Sequence, residues 1–246
     1  MTDTCIDMSQ RKVAIAAGIG FFIMTFAAIF AIYFVFENLK VPGDANTTAI
    51  NIMSNELLFR LGIFSLIIVL ICDVLVAWAL YFFLKPVNKS LALLAAWLRL
   101  AYAAFIGIAL LNLVFVLLLL SNADYLNVIE TNELYAQVLL SFNAFDDIWK
   151  IGIIIFSAHL IVLGYLVFKS TYVPKIFGIL IIIASFGYLT DSLVHLLSPD
   201  YENYKAIIGI VFIVPQLAGE LGLAFWLLFR GGKIPKLNSL DETKTS

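Results

Sequence analysis

Six long apolar runs constrain this chain more than any other feature. They cover 13–36, 61–84, 91–120, 148–168, 174–197 and 206–229. Each is near or above the roughly 20 residues that cross the hydrocarbon of a bilayer as a helix. Backbone in lipid has to satisfy its own hydrogen bonds, and a helix does so within one segment. Composition agrees: 63% of the residues are hydrophobic and 13% charged, against roughly 45–50% and about 25% in soluble domains. Too little polar surface remains to coat a soluble core. The expected fold is all-α: a polytopic membrane bundle of six transmembrane helices forming one domain over 13–229. Tails flank it at 1–12 and 230–246, the second expected to be disordered.

Lys and Arg set the expected orientation. With the N-terminus in the cytoplasm, Arg11, Lys12, Lys85, Lys89, Lys169, Lys175, Arg230, Lys233, Lys236 and Lys244 fall inside, and only Lys40, Arg60, Lys150 and Lys205 fall outside. Both termini are then cytoplasmic. The run after Arg11-Lys12 is too long for the apolar part of a secretory signal, so it reads as a retained span. Inner links are short, "KPVNKS" and "STYVP"; two outer loops, 37–60 and 121–147, are long and acidic. Within the second, Leu134, Val138, Leu139, Phe142 and Phe145 recur at helical spacing. That piece is either an amphipathic helix on the outer surface or an early start to the fourth span.

Several function classes drop out. A net charge of −2, with no basic patch and no Gly-rich phosphate loop, argues against a nucleic-acid partner. Cys5 and Cys72 are too few for a thiolate metal site. No cofactor is expected.

Two stretches, "DVLVAWALYFFLKPVNKSLALLAAWLRL" and "AHLIVLGYLVFKSTYVPKIFGILIIIASFGYLTDSL", with "GELGLAFWLLFRGGK" closing the last span, resemble a bacterial membrane family known as domain of unknown function 4386. The resemblance covers most of the chain from the second span onward and includes the inner loops. It implies a bacterial plasma-membrane protein with one multi-span domain. It implies no activity and assigns no catalytic or binding residue.

Ionisable groups inside spans are costly, tend to face the bundle interior and mark functional sites. Counting about 1.5 Å per residue from each inner end puts Asp73 at roughly 17 Å, Arg99 at roughly 12 Å, and His159 and Glu220 at roughly 14 Å. Four helices thus supply polar groups to one midplane layer, with Gln216 one turn from Glu220 and Pro215 beside it. Ala103, Gly107, Gly219 and Gly222 would let helices approach nearby. An Asp73–Arg99 pair is either a register-fixing ion pair or part of a functional site. Glu220 is then expected to be protonated or paired with a charged His159.

Nearer the outer face, Asp191 and His195 stand one turn apart on the fifth span, roughly 9 and 3 Å below its outer end. With Asn112, Asn143, Asp146, Asp147 and Lys150 they form either an outer polar rim with local pairs, such as Asp146 with Lys150, or a vestibule leading to the midplane. The two histidines are roughly 13 Å apart in depth, too far to share a metal, and neither HExxH nor GxSxG is present. The functional expectation is a small-solute or proton-linked, permease-like membrane protein. The alternatives are a non-transporting accessory or sensor protein, then a membrane-embedded enzyme.

Overall fold

The computed structural model describes residues 10–121 and 123–231. Among these residues all regular structure is helical. The six spanning helices are α1 (Gln10–Leu39), α3 (Glu56–Leu84), α4 (Lys89–Leu119), α5 (Thr131–Lys169), α6 (Lys175–Leu197) and α7 (Tyr201–Phe229), each long and apolar enough to cross a membrane. A short helix, α2 (Ala45–Ser54), lies between α1 and α3. Six crossings return the last helix to the side on which the first began. The side holding Gln10 and Phe229 is the terminal face, and the opposite side is the loop face. Much of each tail expected from sequence, 1–9 and 232–246, lies outside the described residues.

Each spanning helix packs on its neighbours in the chain, and α7 closes back onto α1. The result is a closed ring in sequence order, as short links between antiparallel helices favour. Bulky apolar side chains such as Phe26, Phe64, Trp97, Phe115 and Val214 remain exposed around it, as suits a surface solvated by lipid tails.

Local signals set the helix ends. Asp44 caps α2, accepting from the Thr47 N–H at 2.9 Å and from its hydroxyl at 2.6 Å. These bonds hold the Asp44 carboxyl below the usual carboxylate range. Asn88 caps α4 through the Leu91 N–H at 2.9 Å. On the terminal face the Tyr172 hydroxyl donates to the Phe83 carbonyl at 2.9 Å, tying the α5–α6 link to α3.

Two features depart from simple spans. The apolar stripe in 121–147 is an early start to the fourth span, because α5 runs unbroken from Thr131. Its 39 residues would extend about 58 Å, nearly twice the hydrocarbon thickness. The extra turns bury Val138, Phe142 and Phe145 beside α2. There Phe36, Phe59, Phe142 and Phe145 form an edge-to-face cluster with centroids 5.6–6.3 Å apart. Lys40 pairs with Asp146 and lies over the Phe142 ring. The second feature is a π-helical segment, Phe30–Phe36, near the end of α1. Its extra residue per turn aims Val35 and Phe36 at Gly62 of α3, where an added Cβ would meet both at 2.9 Å.

Candidate functional site

The centre of the ring is occupied by a fully buried guanidinium. Arg99, on α4, has no exposed surface. Its Nη2 lies 2.7 Å from Asp73 Oδ1 on α3 and 3.3 Å from Met24 Sδ on α1. Its Nη1 lies 3.2 Å from His159 Nε2 on α5. The rings of Phe21 and Phe156 flank it at 5.0 and 5.5 Å, so the cation is covered by π-faces where it lacks hydrogen-bond acceptors. Its Nε has no acceptor. Removing one partner from such a pair strands a buried charge.

The partners fix the tautomer of His159. Its Nδ1 sits 2.8 Å from the Ala95 carbonyl, which only accepts, so Nδ1 carries the proton. Nε2 faces an Arg99 N–H, which only donates, so Nε2 offers its lone pair. The imidazole is thus neutral and both of its nitrogens are used. His159 therefore does not serve as a charged partner of Glu220.

Glu220 on α7 accepts instead from the Tyr188 hydroxyl of α6, at 2.8 Å. It joins the central group through rings: Tyr188 packs edge-on to Phe156 at 5.7 Å, and Phe156 stacks on His159 at 5.6 Å. Tyr102 of α4 lies against Phe156 at 4.7 Å. Every spanning helix therefore contributes a side chain to the centre. Gln216 is half-buried one turn away and makes no bond to this group. Pro215 lies inside α7 without ending it.

A second polar group spans α5, α6 and the start of α7. Lys150 pairs with Asp191, and the Tyr201 hydroxyl donates to Asp191 Oδ1 at 2.9 Å. One turn toward the loop face, His195 Nε2 lies 2.9 Å from Asp147 Oδ1. Antiparallel helices explain the crossed order, since α5 descends from Asp147 to Lys150 while α6 ascends from Asp191 to His195. The local pair expected between Asp146 and Lys150 does not form. Asp146 turns to Lys40, the residue just past the end of α1, and Lys150 to α6. Asn112 stays apart, donating to the carbonyls of Ile108 and Ala109 in its own helix.

The two groups meet on α6. Tyr188, Asp191 and His195 follow at spacings of three and four, so they share one face about a turn apart. Sequence alone does not single out Tyr188 or Tyr201. Tyr188 had a signal in its spacing from Asp191; Tyr201 and Met24 had none, because their roles depend on how helices distant in sequence align. Among the described residues no three His, Cys, Asp or Glu side chains are placed to hold a metal ion.

A family model described as Domain of unknown function (DUF4386) matches residues 16–231. A protein of Archaeoglobus fulgidus titled "Uncharacterized protein" is 35% identical over 178 residues, which is 72% of this chain and 88% of that one. No solved structure matches.

Proposed function

The chain belongs to the DUF4386 family of multi-pass membrane proteins, and from that premise we propose that it is a proton-linked, permease-like protein. One observation carries this reading: the Tyr188–Glu220 hydrogen bond lies one helical turn along α6 from the Lys150–Asp191–Tyr201 group. Ionisable and hydroxyl groups thus descend from the loop face to the ring centre along one helix face. Ladders of this kind mark proton relays in membrane proteins. Glu220 is the proton-carrying group in this reading, and the Arg99–Asp73 pair is a fixed, net-neutral ion pair at the centre of the ring. Gln216 and Pro215, one turn and five residues before Glu220 on α7, would line the path.

The excess of Lys and Arg supports placing the terminal face in the cytoplasm. The family resemblance supports a bacterial plasma membrane, although the Archaeoglobus relative extends such sequences to archaea. The complete burial of Asp73, Arg99 and His159 favours a second reading, an accessory or sensor protein with a static core.

Proteoliposomes under an imposed pH gradient separate the two. Proton-linked transport predicts wild-type flux above that of empty vesicles, with at least a tenfold loss in Glu220→Gln, as expected for removal of an essential proton carrier (roughly 1.4 kcal/mol or more of barrier). Wild-type flux no greater than that of empty vesicles, or flux unchanged in the variant, would leave the accessory reading standing.

A further inference from the structure

The terminal face carries a groove that none of the preceding chemistry uses. It encloses about 550 Å³ and is lined by Thr171, Tyr172, Val173, Pro174, Trp226 and Arg230. It lies where the α5–α6 link meets the last turn of α7. Arg230 is exposed and forms no ion pair among the described residues. The Tyr172 hydroxyl is committed to the Phe83 carbonyl, which leaves Thr171, the Trp226 indole N–H and Arg230 as the other polar side chains lining the groove.

The surroundings are strongly one-sided in charge. Among the described residues, Arg11, Lys12, Lys85, Lys89, Lys169, Lys175 and Arg230 lie at this end of the ring, with no Asp or Glu. Arg11 is turned inward, its Nη1 3.5 Å from the Leu227 carbonyl at the end of α7. Lys169 and Lys175, either side of the groove-lining segment in the chain, lie over the rings of Tyr165 and Phe168. Trp226 and Tyr172 supply the amphipathic rings that settle at headgroup depth.

We infer that this groove binds the phosphate headgroup of an anionic phospholipid, with Arg230 as its charge partner and Trp226 against the glycerol and upper acyl chain. Charge complementarity selects the ligand, because a basic pocket between helix ends at the membrane surface holds acidic lipid rather than zwitterionic lipid. The acidic residues Asp241 and Glu242 of the chain's own C-terminal segment are the competing occupant.

The test is quenching of Trp226 in the full chain, reconstituted in phosphatidylcholine vesicles containing a small fraction of brominated phosphatidylglycerol or brominated phosphatidylcholine. The contribution of Trp226 is isolated by subtracting Trp226→Phe. The inference expects brominated phosphatidylglycerol to quench at about one fifth the mole fraction that brominated phosphatidylcholine requires, the worth of one basic side chain. That preference should disappear in Arg230→Gln, a surface change that leaves the core untouched. Equal quenching by the two lipids overturns the inference, as does a preference that persists in Arg230→Gln. Loss of the preference on adding millimolar inorganic phosphate would assign the groove to small anions instead. A preference that emerges only when residues 232–246 are removed would assign it to the tail.

Discussion

Arg99 Nη2 lies 2.7 Å from Asp73 Oδ1, with neither side chain more than 1% exposed. The pair joins α3 to α4 at the middle of the ring, and His159 and Met24 extend it to α5 and α1. Its loss is felt asymmetrically. Asp73→Asn leaves the guanidinium buried without a counter-charge and should cost about 3–5 kcal/mol. The double variant Asp73→Leu/Arg99→Met removes both charges and should be more stable than Asp73→Asn alone. Thermal unfolding in one detergent, read for wild type and both variants, checks the order. If Asp73→Asn is as stable as wild type, no buried ion pair is present.

The bonding of His159 yields a spectroscopic expectation. Donation from Nδ1 to the Ala95 carbonyl and acceptance at Nε2 from Arg99 fix one neutral tautomer. Nitrogen-15 spectra of histidine-labelled protein at pH 7 should show a protonated Nδ1 and a bare Nε2, with the resonance missing in His159→Phe. A doubly protonated ring would contradict the assignment.

Spans were legible because hydrocarbon thickness imposes a length that composition betrays. The burial of Asp73, Arg99 and His159 was legible because lipid penalises exposure of such groups, whereas Glu220 is only partly buried. Pairing was less legible. Glu220 meets Tyr188 rather than His159, and Lys150 meets Asp191 rather than Asp146. Each choice depends on the rotation and relative height of neighbouring helices. Rotation is set in part by close glycine contacts and in part by the π-helical segment in α1, whose residues "FAIYFVF" give no sequence signal.

One such glycine contact joins α5 to α6. A Cβ on Gly178 would meet the Gly164 carbonyl and the Phe168 N–H nitrogen at 2.7 Å. One on Gly164 would meet the Gly178 carbonyl at 2.8 Å. Backbone cannot swing aside as a side chain does, so the helices must separate. Gly178→Ala and Gly164→Ala should each cost about 1–3 kcal/mol, the usual range for overpacking. Gly209 of α7 has open space around its would-be Cβ. Gly209→Ala should be neutral or stabilising by up to about 1 kcal/mol through helix propensity. Unfolding midpoints of the three variants test the contrast; equal effects would mean α5 and α6 are not this close.

Alkaline pH should reveal the Tyr172 anchor. Burial pushes the Tyr172 hydroxyl from its ordinary 10.0 up to about 12, and the neutral form donates to Phe83. The folded value exceeds the unfolded one. Its stabilising contribution is therefore complete below pH 10 and is lost as pH rises through about 12. Wild type minus Tyr172→Phe, followed by thermal unfolding against pH, should show a constant difference below pH 10 that shrinks above it. A difference that does not change over this interval would show that the hydroxyl is not held as described.

The pair of Lys150 and Asp191 offers the sharpest test of whether the group near the loop face is scaffold or relay. Each side chain is about one quarter exposed, so the pair is neither a solvated surface bridge nor a sealed one. Lys150→Met leaves Asp191 with Tyr201 and should cost about 1–3 kcal/mol, the range for a half-satisfied buried group. The swap Lys150→Asp/Asp191→Lys restores opposite charges across the same antiparallel contact and should recover at least half of that loss. Proton flux should not follow stability. The swap puts an ammonium where the α6 ladder needs a carboxylate, one turn from Tyr188 and Glu220. A folded swap variant with much reduced flux would assign Asp191 to the relay. A folded swap variant with wild-type flux would assign the pair to helix register alone and place proton entry to Glu220 elsewhere in the ring.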